Sequence, residues 1–252
     1  MISYSPAKIM KGVILAGGLA TRLYPLTHAT NKHLLPVYDK PMIFYPIQVL
    51  LKAGIDEILV VTGGPYAGDF IRVLQNGKEL GVKHLEYTYQ EKSDGGIADA
   101  LNLAEDFADG GSIAVILGDN TTDADISKGI KNFKDGALIY LKKVFDPERY
   151  GVPVFSKTGK KIIKIEEKPK VPKSDYAVTG LYVYDKHVFD IIKTLKPSAR
   201  GQLEVTDINN AYIKEGKLKW EELDGFWTDA GTSASLFKAN MFWAVKKGVN
   251  LL

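Results

Sequence analysis

The first two-thirds of the chain alternates short apolar runs with amphipathic stretches. Four runs have the composition of strands, and they cover residues 12–16, 57–62, 82–89 and 112–117. Apolar positions at helical spacing predict helices over residues 41–52, 66–74 and 97–107. The run at 12–16 is continuously apolar, which is typical of a strand buried on both faces of a parallel sheet. This order of elements predicts βαβ units, in which helices join parallel strands.

The pattern changes after about residue 137. Strand-like runs at 137–144, 151–155, 161–166 and 177–184 follow with few helices between them, and helical spacing returns at 204–214 and 232–247. Successive strands without crossover helices favour antiparallel or mixed pairing. The chain is therefore expected to form a single α/β domain, residues 1–252. Its sheet should be Rossmann-like and mostly parallel, flanked by helices and extended by a mixed part.

Charge and composition exclude several classes of protein. The formal net charge is +3, from 33 basic and 30 acidic residues, whereas a nucleic-acid-binding protein usually carries a strongly basic face. There is no cysteine, so a thiol nucleophile, a disulfide framework and a thiolate metal site are excluded. No apolar run approaches the ~20 residues that cross a bilayer. We expect a cytoplasmic protein with no nucleic-acid or membrane partner.

Two glycines, Gly17 and Gly18, follow the first predicted strand. Glycines at the carboxyl end of a buried strand let the backbone approach a phosphate closely and point its N–H groups at it. The turn has neither the spacing of a dinucleotide fingerprint nor the ending of a P-loop, and Arg22 and Lys32 supply positive charge instead. For the glycines alone, a simple tight turn is an equally good interpretation.

Residues 11–54 (KGVILAGGLATRLYPLTHATNKHLLPVYDKPMIFYPIQVLLKAG) resemble the amino-terminal signature of the sugar nucleotidylyltransferases. Within that family they are most similar to the glucose-1-phosphate thymidylyltransferases. The resemblance implies the nucleotide-diphospho-sugar transferase fold, with residues 11–136 binding the nucleotide, 137–232 binding the sugar phosphate and 233–252 forming a C-terminal helix. It also implies nucleotide contacts from the signature turn, at Leu15, Ala16, Gly17, Gly18, Thr21 and Arg22.

Two aspartates match the metal-binding motifs of that family. Asp119 lies in LGDN, directly after a predicted strand, and Asp229 lies in WTDAGT. The resemblance implies that both bind Mg²⁺, a hard cation that prefers carboxylate, phosphate and water oxygens. Out of that context, an Asx turn at Asp119 and a helix cap at Asp229 are the alternative interpretations.

Later blocks resemble the segments that bind the sugar phosphate. Glu167 and Lys168 lie in IEEKP, and the resemblance implies that Glu167 binds sugar hydroxyls and Lys168 binds the phosphate. The residues implied for the sugar phosphate are Lys32, Gly151, Glu167, Lys168, Tyr176, Val178, Thr179, Gly180 and Glu204. A solvated charge run at 166–168 and an ordinary helix start near Glu204 are the alternatives.

Residues 89–100 (YQEKSDGGIADA) resemble the nucleobase-binding block of the family, which implies that Gln90 and Gly96 contact the pyrimidine. The segment departs from the family pattern in two ways. Its glycine step is one residue longer, and Asp99 stands where the family has glutamine. Both departures concern the choice of base, so a UTP-dependent enzyme remains an alternative to a dTTP-dependent one.

The resemblance implies an enzyme that transfers a thymidylyl group from dTTP to glucose 1-phosphate, with Mg²⁺ as cofactor and pyrophosphate as the second product. The sugar phosphate would attack the α-phosphorus directly. Because the second pKa of a phosphate monoester is ~6, this nucleophile is mostly ionised at neutral pH and requires no general base. Arg22, Lys32 and Lys168 are the implied catalytic cations.

Other readings of the same blocks remain. One is another sugar-1-phosphate nucleotidylyltransferase, and a more distant one is a non-catalytic regulatory protein that binds a nucleotide sugar. The family resemblance also implies a homo-oligomer, a dimer or a tetramer. Longer members continue past the last predicted helix, so this chain is expected to be a short form that lacks their C-terminal extension.

Overall fold

The computed structural model describes residues 9–18 and 21–250. Residues 1–8, 19–20 and 251–252, which the predicted domain includes, lie outside the described residues. The strands are β1 (Lys11–Ala16), β2 (Pro36–Val37), β3 (Lys40–Pro41), β4 (Glu57–Gly63), β5 (His84–Gln90), β6 (Ile113–Leu117), β7 (Asn120–Thr122), β8 (Ala137–Lys143), β9 (Gly151–Phe155), β10 (Ile162–Glu167), β11 (Tyr176–Tyr184), β12 (Leu218–Glu222) and β13 (Trp227–Asp229). The α-helices are α1 (Phe44–Lys52), α2 (Ala67–Leu74), α3 (Ile97–Asn102), α4 (Glu105–Ala108), α5 (Ser127–Asn132), α6 (His187–Thr194), α7 (Val205–Lys214) and α8 (Ser233–Lys246).

Seven strands form the central sheet, in the order β12-β8-β11-β6-β1-β4-β5. The strands β6, β1, β4 and β5 run parallel to one another, and β12 is parallel to β8. Strand β11 is antiparallel to both of its neighbours, β6 and β8. The predicted α/β class is confirmed, with a mostly parallel sheet and a mixed extension. Every helix within the described ranges is too short or too polar to cross a membrane.

Both faces of the central sheet are covered, which explains why its strands are continuously apolar. In β1, Val13 and Leu15 pack into a cluster shared with α3, α6 and α7. Ile14 and Ala16 point to the other face and pack with residues of α1 and α2. All four side chains are at most 6% exposed. Burial of a Val, Leu or Ile side chain contributes roughly 1.5–3 kcal/mol, so the packing on both faces of β1 stabilises the fold.

The structure differs from the sequence prediction at a few elements. The single helix predicted over 97–107 is two helices, because α3 ends at Asn102 and α4 begins at Glu105. The periodicity also fails to predict α6 and β12. Strand β12 lies at the edge of the sheet and its side chains are half-buried or exposed, so it lacks the apolar run of a central strand.

A third apolar cluster holds the segment after the glycine turn against the C-terminal helix. Leu23 and Val37 pack in the same cluster as Leu236 of α8. The Asn240 side chain of α8 also accepts a hydrogen bond from the Tyr38 N–H, at 2.7 Å. Helix α8 therefore positions a segment within the predicted signature that lies more than 190 residues away in the sequence.

The N-terminus of α8 is closed by a capping box. The Thr232 hydroxyl accepts from the Ser235 N–H at 3.2 Å, and the Ser235 hydroxyl accepts from the Thr232 N–H at 3.1 Å. We predict that Thr232→Ala lowers the free energy of unfolding by about 1 kcal/mol, measured by urea denaturation. Ser233→Ala is the matched control, because Ser233 is exposed and outside the box. Equal losses in the two variants would contradict the capping role.

Candidate active site

A cavity of about 380 Å³ opens at the carboxyl ends of the parallel strands. The ends of β1, β5 and β6 reach it through Gly17, Gln90 and Asp119. Ligands of open α/β sheets bind at this edge, because the loops that follow the strands gather there. The antiparallel strand β11 adds Val178 and Gly180 to the lining. Its reversed direction brings the later part of the chain to the same edge.

Most of the predicted site residues line this one cavity. They are Leu15, Gly17, Gly18, Arg22, Lys32, Gln90, Gly96, Asp119, Gly151, Glu167, Lys168, Val178, Gly180, Glu204 and Asp229. Segments that are more than 200 residues apart in the sequence therefore meet around a single space. The predicted residues that do not line it are Ala16, Thr21, Tyr176 and Thr179.

Three of these four residues belong to the framework or to the surface. Ala16 ends β1 with its side chain fully buried in the core. Thr179 is also fully buried, and its hydroxyl donates to the backbone oxygen of Tyr140 at 2.8 Å. Thr21 is exposed. Their ligand contacts stay predictions, and the buried positions of Ala16 and Thr179 leave only the backbone for such a role.

Tyr176 lies at the start of β11, away from the cavity lining. Its ring packs edge-on against Phe155, with 5.8 Å between ring centroids, and its hydroxyl donates to Glu222 Oε2 at 3.1 Å. The antiparallel register pairs Tyr176 with Lys143, at the end of β8. The structure therefore does not bring this side chain to the other predicted sugar-phosphate residues, and its sugar contact stays a prediction.

Asp119 follows β6, and its carboxylate is only 11% exposed. Lys32 Nζ lies 2.7 Å from Asp119 Oδ2, and the Asn120 amide donates to Oδ1 at 3.0 Å. Burial by itself raises the pKa of the Asp119 carboxyl, but the Lys32 ammonium and these hydrogen bonds outweigh it and hold the pKa below its usual range. Asp119 is therefore ionised at neutral pH.

Asp229 lies beside Asp119 because β13 pairs with β7, in a register that sets Asp229 opposite Asn120. Burial, and then the charge of Asp119, raise the pKa of Asp229 to about 6. The Arg149 guanidinium and a 3.1 Å hydrogen bond from the Tyr150 hydroxyl act in the opposite direction. Two adjacent carboxylates thus repel each other in a largely buried place, and a further cation near both would relieve that repulsion.

Arg22 approaches the same pair of aspartates. A Cβ atom at Gly231 would lie 3.1 Å from Arg22 Nη2 and 3.2 Å from Asp119 Oδ2, so glycine at this position leaves both groups room. The Arg22 charge also lowers the pKa of Asp229, although less than Arg149 does. Positive and negative side chains therefore alternate within a few ångströms at this end of the cavity.

A second group of charges surrounds Glu167 and Glu204. Arg200 Nη2 lies 3.2 Å from Glu167 Oε1 and 2.9 Å from Glu204 Oε1, so one guanidinium bridges both carboxylates. The Thr206 hydroxyl donates to Glu167 Oε2 at 2.6 Å, and the Ser198 hydroxyl donates to Glu204 Oε1 at 2.8 Å. These contacts orient both carboxylates and leave them able to accept hydrogen bonds from a polyhydroxy ligand.

Lys168 has an unusual backbone conformation, with φ at +46°. Such a conformation costs free energy for a residue with a Cβ atom and is common at ligand sites. The Lys168 N–H donates to the backbone oxygen of Tyr150 at 3.0 Å, while its side chain is half exposed and its Nζ is 3.7 Å from Glu167 Oε1. The backbone is therefore held in place, and the ammonium group is free to meet a ligand.

The cavity lining also includes polar side chains that the sequence analysis did not single out as site residues, among them His33, Arg149, Tyr150, Arg200 and Thr206. Burial, and then the Lys32 charge, lower the pKa of His33 to about 3, so this imidazole is neutral at neutral pH. The only sequence signal for the others is their position next to a predicted residue. Arg149 and Tyr150 directly precede Gly151, and Arg200 and Thr206 flank Glu204.

Comparison with known proteins assigns the chain to a family. The sequence profile of the nucleotidyl transferase family matches residues 11–246. A glucose-1-phosphate thymidylyltransferase of Neisseria gonorrhoeae is 46% identical over 239 residues, which cover 92% of this chain and 82% of the relative. One from Xanthomonas campestris (strain B100) is 45% identical over 238 residues, covering 92% and 80%.

Solved structures agree in fold. A Bacillus anthracis chain assigned as a glucose-1-phosphate thymidylyltransferase, crystallised with sucrose, is 51% identical and superposes with a TM-score of 0.87, covering 97% of this chain and 98% of its own. A UDP-glucose pyrophosphorylase superposes with a TM-score of 0.81 at 20% identity, which shows a shared fold alone. The predicted nucleotide-diphospho-sugar transferase fold is therefore confirmed. With its family match over most of the chain, this protein belongs to the nucleotidyl transferase family and is a nucleotidyltransferase.

Proposed function

We propose that the protein transfers a thymidylyl group from dTTP to glucose 1-phosphate and releases pyrophosphate. One observation carries this proposal: the glycine turn with Arg22, the aspartate pair and the Glu167–Lys168 segment all line one cavity. Thymidylyltransferases that are 43–46% identical over about 92% of the chain support the choice of substrates. Residues 11–136 would hold the nucleotide and residues 137–232 the sugar phosphate.

Asp119 and Asp229 suit a divalent cation of the Mg²⁺ type. They supply hard oxygen ligands, and a cation would offset both causes of the raised pKa of Asp229, its burial and the charge of Asp119. Within the described ranges, no group of three or more His, Cys, Asp or Glu side chains forms a metal site, so the remaining ligands would come from substrate phosphates and water. When bound, the ion would neutralise charge on the α-phosphate oxygens.

The side chains of this chain would bind and orient the two substrates. In this proposal the glycine turn and Arg22 bind the triphosphate, Lys168 binds the sugar phosphate, and Glu167 and Glu204 accept hydrogen bonds from sugar hydroxyls. The nucleophile is a phosphate monoester, whose second pKa of ~6 leaves it mostly ionised at neutral pH. Alignment and charge neutralisation are then the main contributions to rate, and the neutral, buried His33 takes no proton. Assembly into a dimer or tetramer and a cytoplasmic location belong to the same proposal.

The proposed reaction predicts a defined pattern of pyrophosphate release. We expect release from dTTP with glucose 1-phosphate in the presence of Mg²⁺, and none after the metal is chelated with EDTA. A matrix of dTTP, UTP and dCTP against glucose, galactose and mannose 1-phosphates measures the preference. Tight nucleotide binding without pyrophosphate release from any pair would show that the protein is a binding protein rather than an enzyme.

The aspartate pair predicts separate effects on rate and on stability. Asp119→Asn and Asp229→Asn should each lower turnover about 10²–10³-fold and shift the Mg²⁺ dependence to higher concentration.

The raised pKa of Asp229, about 6, also predicts an effect on stability. Ionisation of Asp229 lowers the free energy of unfolding as the pH rises from about 4, and the loss is complete above about pH 6. Metal-free Asp229→Asn should therefore melt at or above the parent temperature at pH 7.5, with the difference vanishing near pH 4.

Asp125→Asn is the matched control for both aspartate variants, because Asp125 is an exposed aspartate that follows β7 and lies outside the cavity lining. It should leave turnover and the Mg²⁺ dependence unchanged. Near-normal activity and Mg²⁺ dependence in Asp229→Asn would contradict the metal assignment of Asp229 and leave it a structural role at the start of the segment that leads into α8.

Arg22 and Lys168 should affect different kinetic constants. Arg22 would hold phosphates that gain charge as pyrophosphate leaves, so Arg22→Ala should chiefly lower kcat. Lys168 would bind a phosphate that is charged throughout, so Lys168→Ala should raise KM for glucose 1-phosphate by roughly ten- to a hundred-fold and change KM for dTTP less. Lys170→Ala, at an exposed lysine outside the lining, is the control. A Lys168→Ala effect confined to dTTP would refute the assignment of the two ends of the cavity.

A further inference from the structure

The Gln90 side chain is held by two hydrogen-bond acceptors. Its Nε2 lies 2.8 Å from Asp99 Oδ2 and 3.3 Å from the backbone oxygen of Gly96. An ionised carboxylate and a backbone carbonyl can only accept hydrogen bonds, so the NH₂ group must face both of them. The chemistry of these neighbours therefore determines which way the amide points, and the carbonyl oxygen Oε1 faces the opposite way.

The Gln90 oxygen lies against the glycine turn. A Cβ atom at Gly17 would lie 2.5 Å from Oε1, so this oxygen occupies space that only glycine leaves open. Gln90 and Gly17 both line the cavity, and no group of the described residues donates a hydrogen bond to Oε1. With its nitrogen held by these two acceptors, the Gln90 amide can offer its oxygen to a hydrogen-bond donor of a ligand in the cavity.

Asp99 reaches Gln90 because of the two glycines that precede α3. A Cβ atom at Gly95 would lie 2.4 Å from Asp99 Oδ2, so any other residue there would exclude the carboxylate from its present place. Gly96 has a φ of +97°, a conformation that favours glycine. The longer glycine step and the aspartate, which are the two departures of this segment from the family pattern, therefore act together in one contact.

We propose that Asp99 is a positioning residue that turns the Gln90 oxygen toward the nucleobase and so selects pyrimidines that carry a hydrogen on ring nitrogen N3. This inference rests on the proposed function, in which the base lies beside Gln90. Thymine and uracil have an N3–H that donates to the Gln90 oxygen, whereas N3 of cytosine is an acceptor and would face another acceptor. A site built around one fixed hydrogen bond rejects a ligand that cannot make it, because the polar group is then left unpaired.

Substitutions at Asp99 test whether its accepting oxygen is what matters. Asp99→Asn removes the charge but keeps an oxygen that can accept from Gln90, whereas Asp99→Leu has a similar shape and no acceptor. The ratio of kcat/KM for dTTP to that for dCTP, with glucose 1-phosphate as the second substrate, is the readout. We expect Asp99→Asn to stay within about three-fold of the parent ratio and Asp99→Leu to lower the ratio about ten-fold or more. Asp99→Ala repeats the test if the leucine variant does not fold, and Asp94→Asn is an exposed control.

The possible results separate this inference from the proposed function. Equal losses with dTTP and dCTP in Asp99→Leu would make Asp99 a merely structural residue, and equal effects of the Asn and Leu variants would show that charge, not acceptance, matters. A parent protein that uses dCTP as well as dTTP would also overturn the inference. If no triphosphate gives pyrophosphate, the proposed function fails, and calorimetric binding of dTDP against dCDP to the same variants still tests the role of Asp99.

Discussion

Two carboxylates, Asp119 and Asp229, lie side by side in a largely buried place, and the surrounding residues limit their repulsion. Lys32 and the Asn120 amide lower the pKa of Asp119 and keep it ionised, whereas the pKa of Asp229 is raised to about 6. Placing two like charges together is unfavourable unless a cation joins them. The rest of the site follows from this constraint, because the cations Arg22 and Lys32 must also reach the same end of the cavity.

The sheet topology makes this meeting of residues possible. Strand β11 enters antiparallel between β6 and β8, so the later part of the chain returns to the edge where the parallel strands end. The Asn120 side chain connects the pieces: its Oδ1 accepts from the Gly180 N–H at 3.0 Å and from the Trp227 indole at 2.7 Å. One buried amide thereby ties β7, β11 and β13 together next to Asp119. Its geometry depends on Gly180, where a Cβ atom would lie 2.6 Å from Asn120 Nδ2.

Backbone hydrogen bonds connect the two ends of the cavity. The Leu203 N–H donates to the Gly95 oxygen at 2.9 Å, and the Ala98 N–H donates to the Leu203 oxygen at 3.1 Å. The proposed base-binding segment is thus bonded to the loop that leads to Glu204, at the proposed sugar end. Separate sequence blocks therefore form one continuous wall of the cavity.

The sequence by itself determined the class of the fold and half of the residues that line the cavity. A strand that is covered on both faces requires a continuous apolar run, and such runs are visible in the sequence. The motifs that resemble the family are short continuous segments, so they can also be identified from the sequence. Tertiary structure alone decided which of them line the cavity: Thr179 and Tyr176 lie in motifs that resemble the family, yet Thr179 is buried in the core and Tyr176 packs beside Phe155. It also decided the pairing of Lys32 with Asp119, the bridge that Arg200 makes between Glu167 and Glu204, and the contact of Asp99 with Gln90. The direction of a side chain and the charge of its neighbours depend on strand register and on packing between distant segments, and no local pattern of residues encodes either.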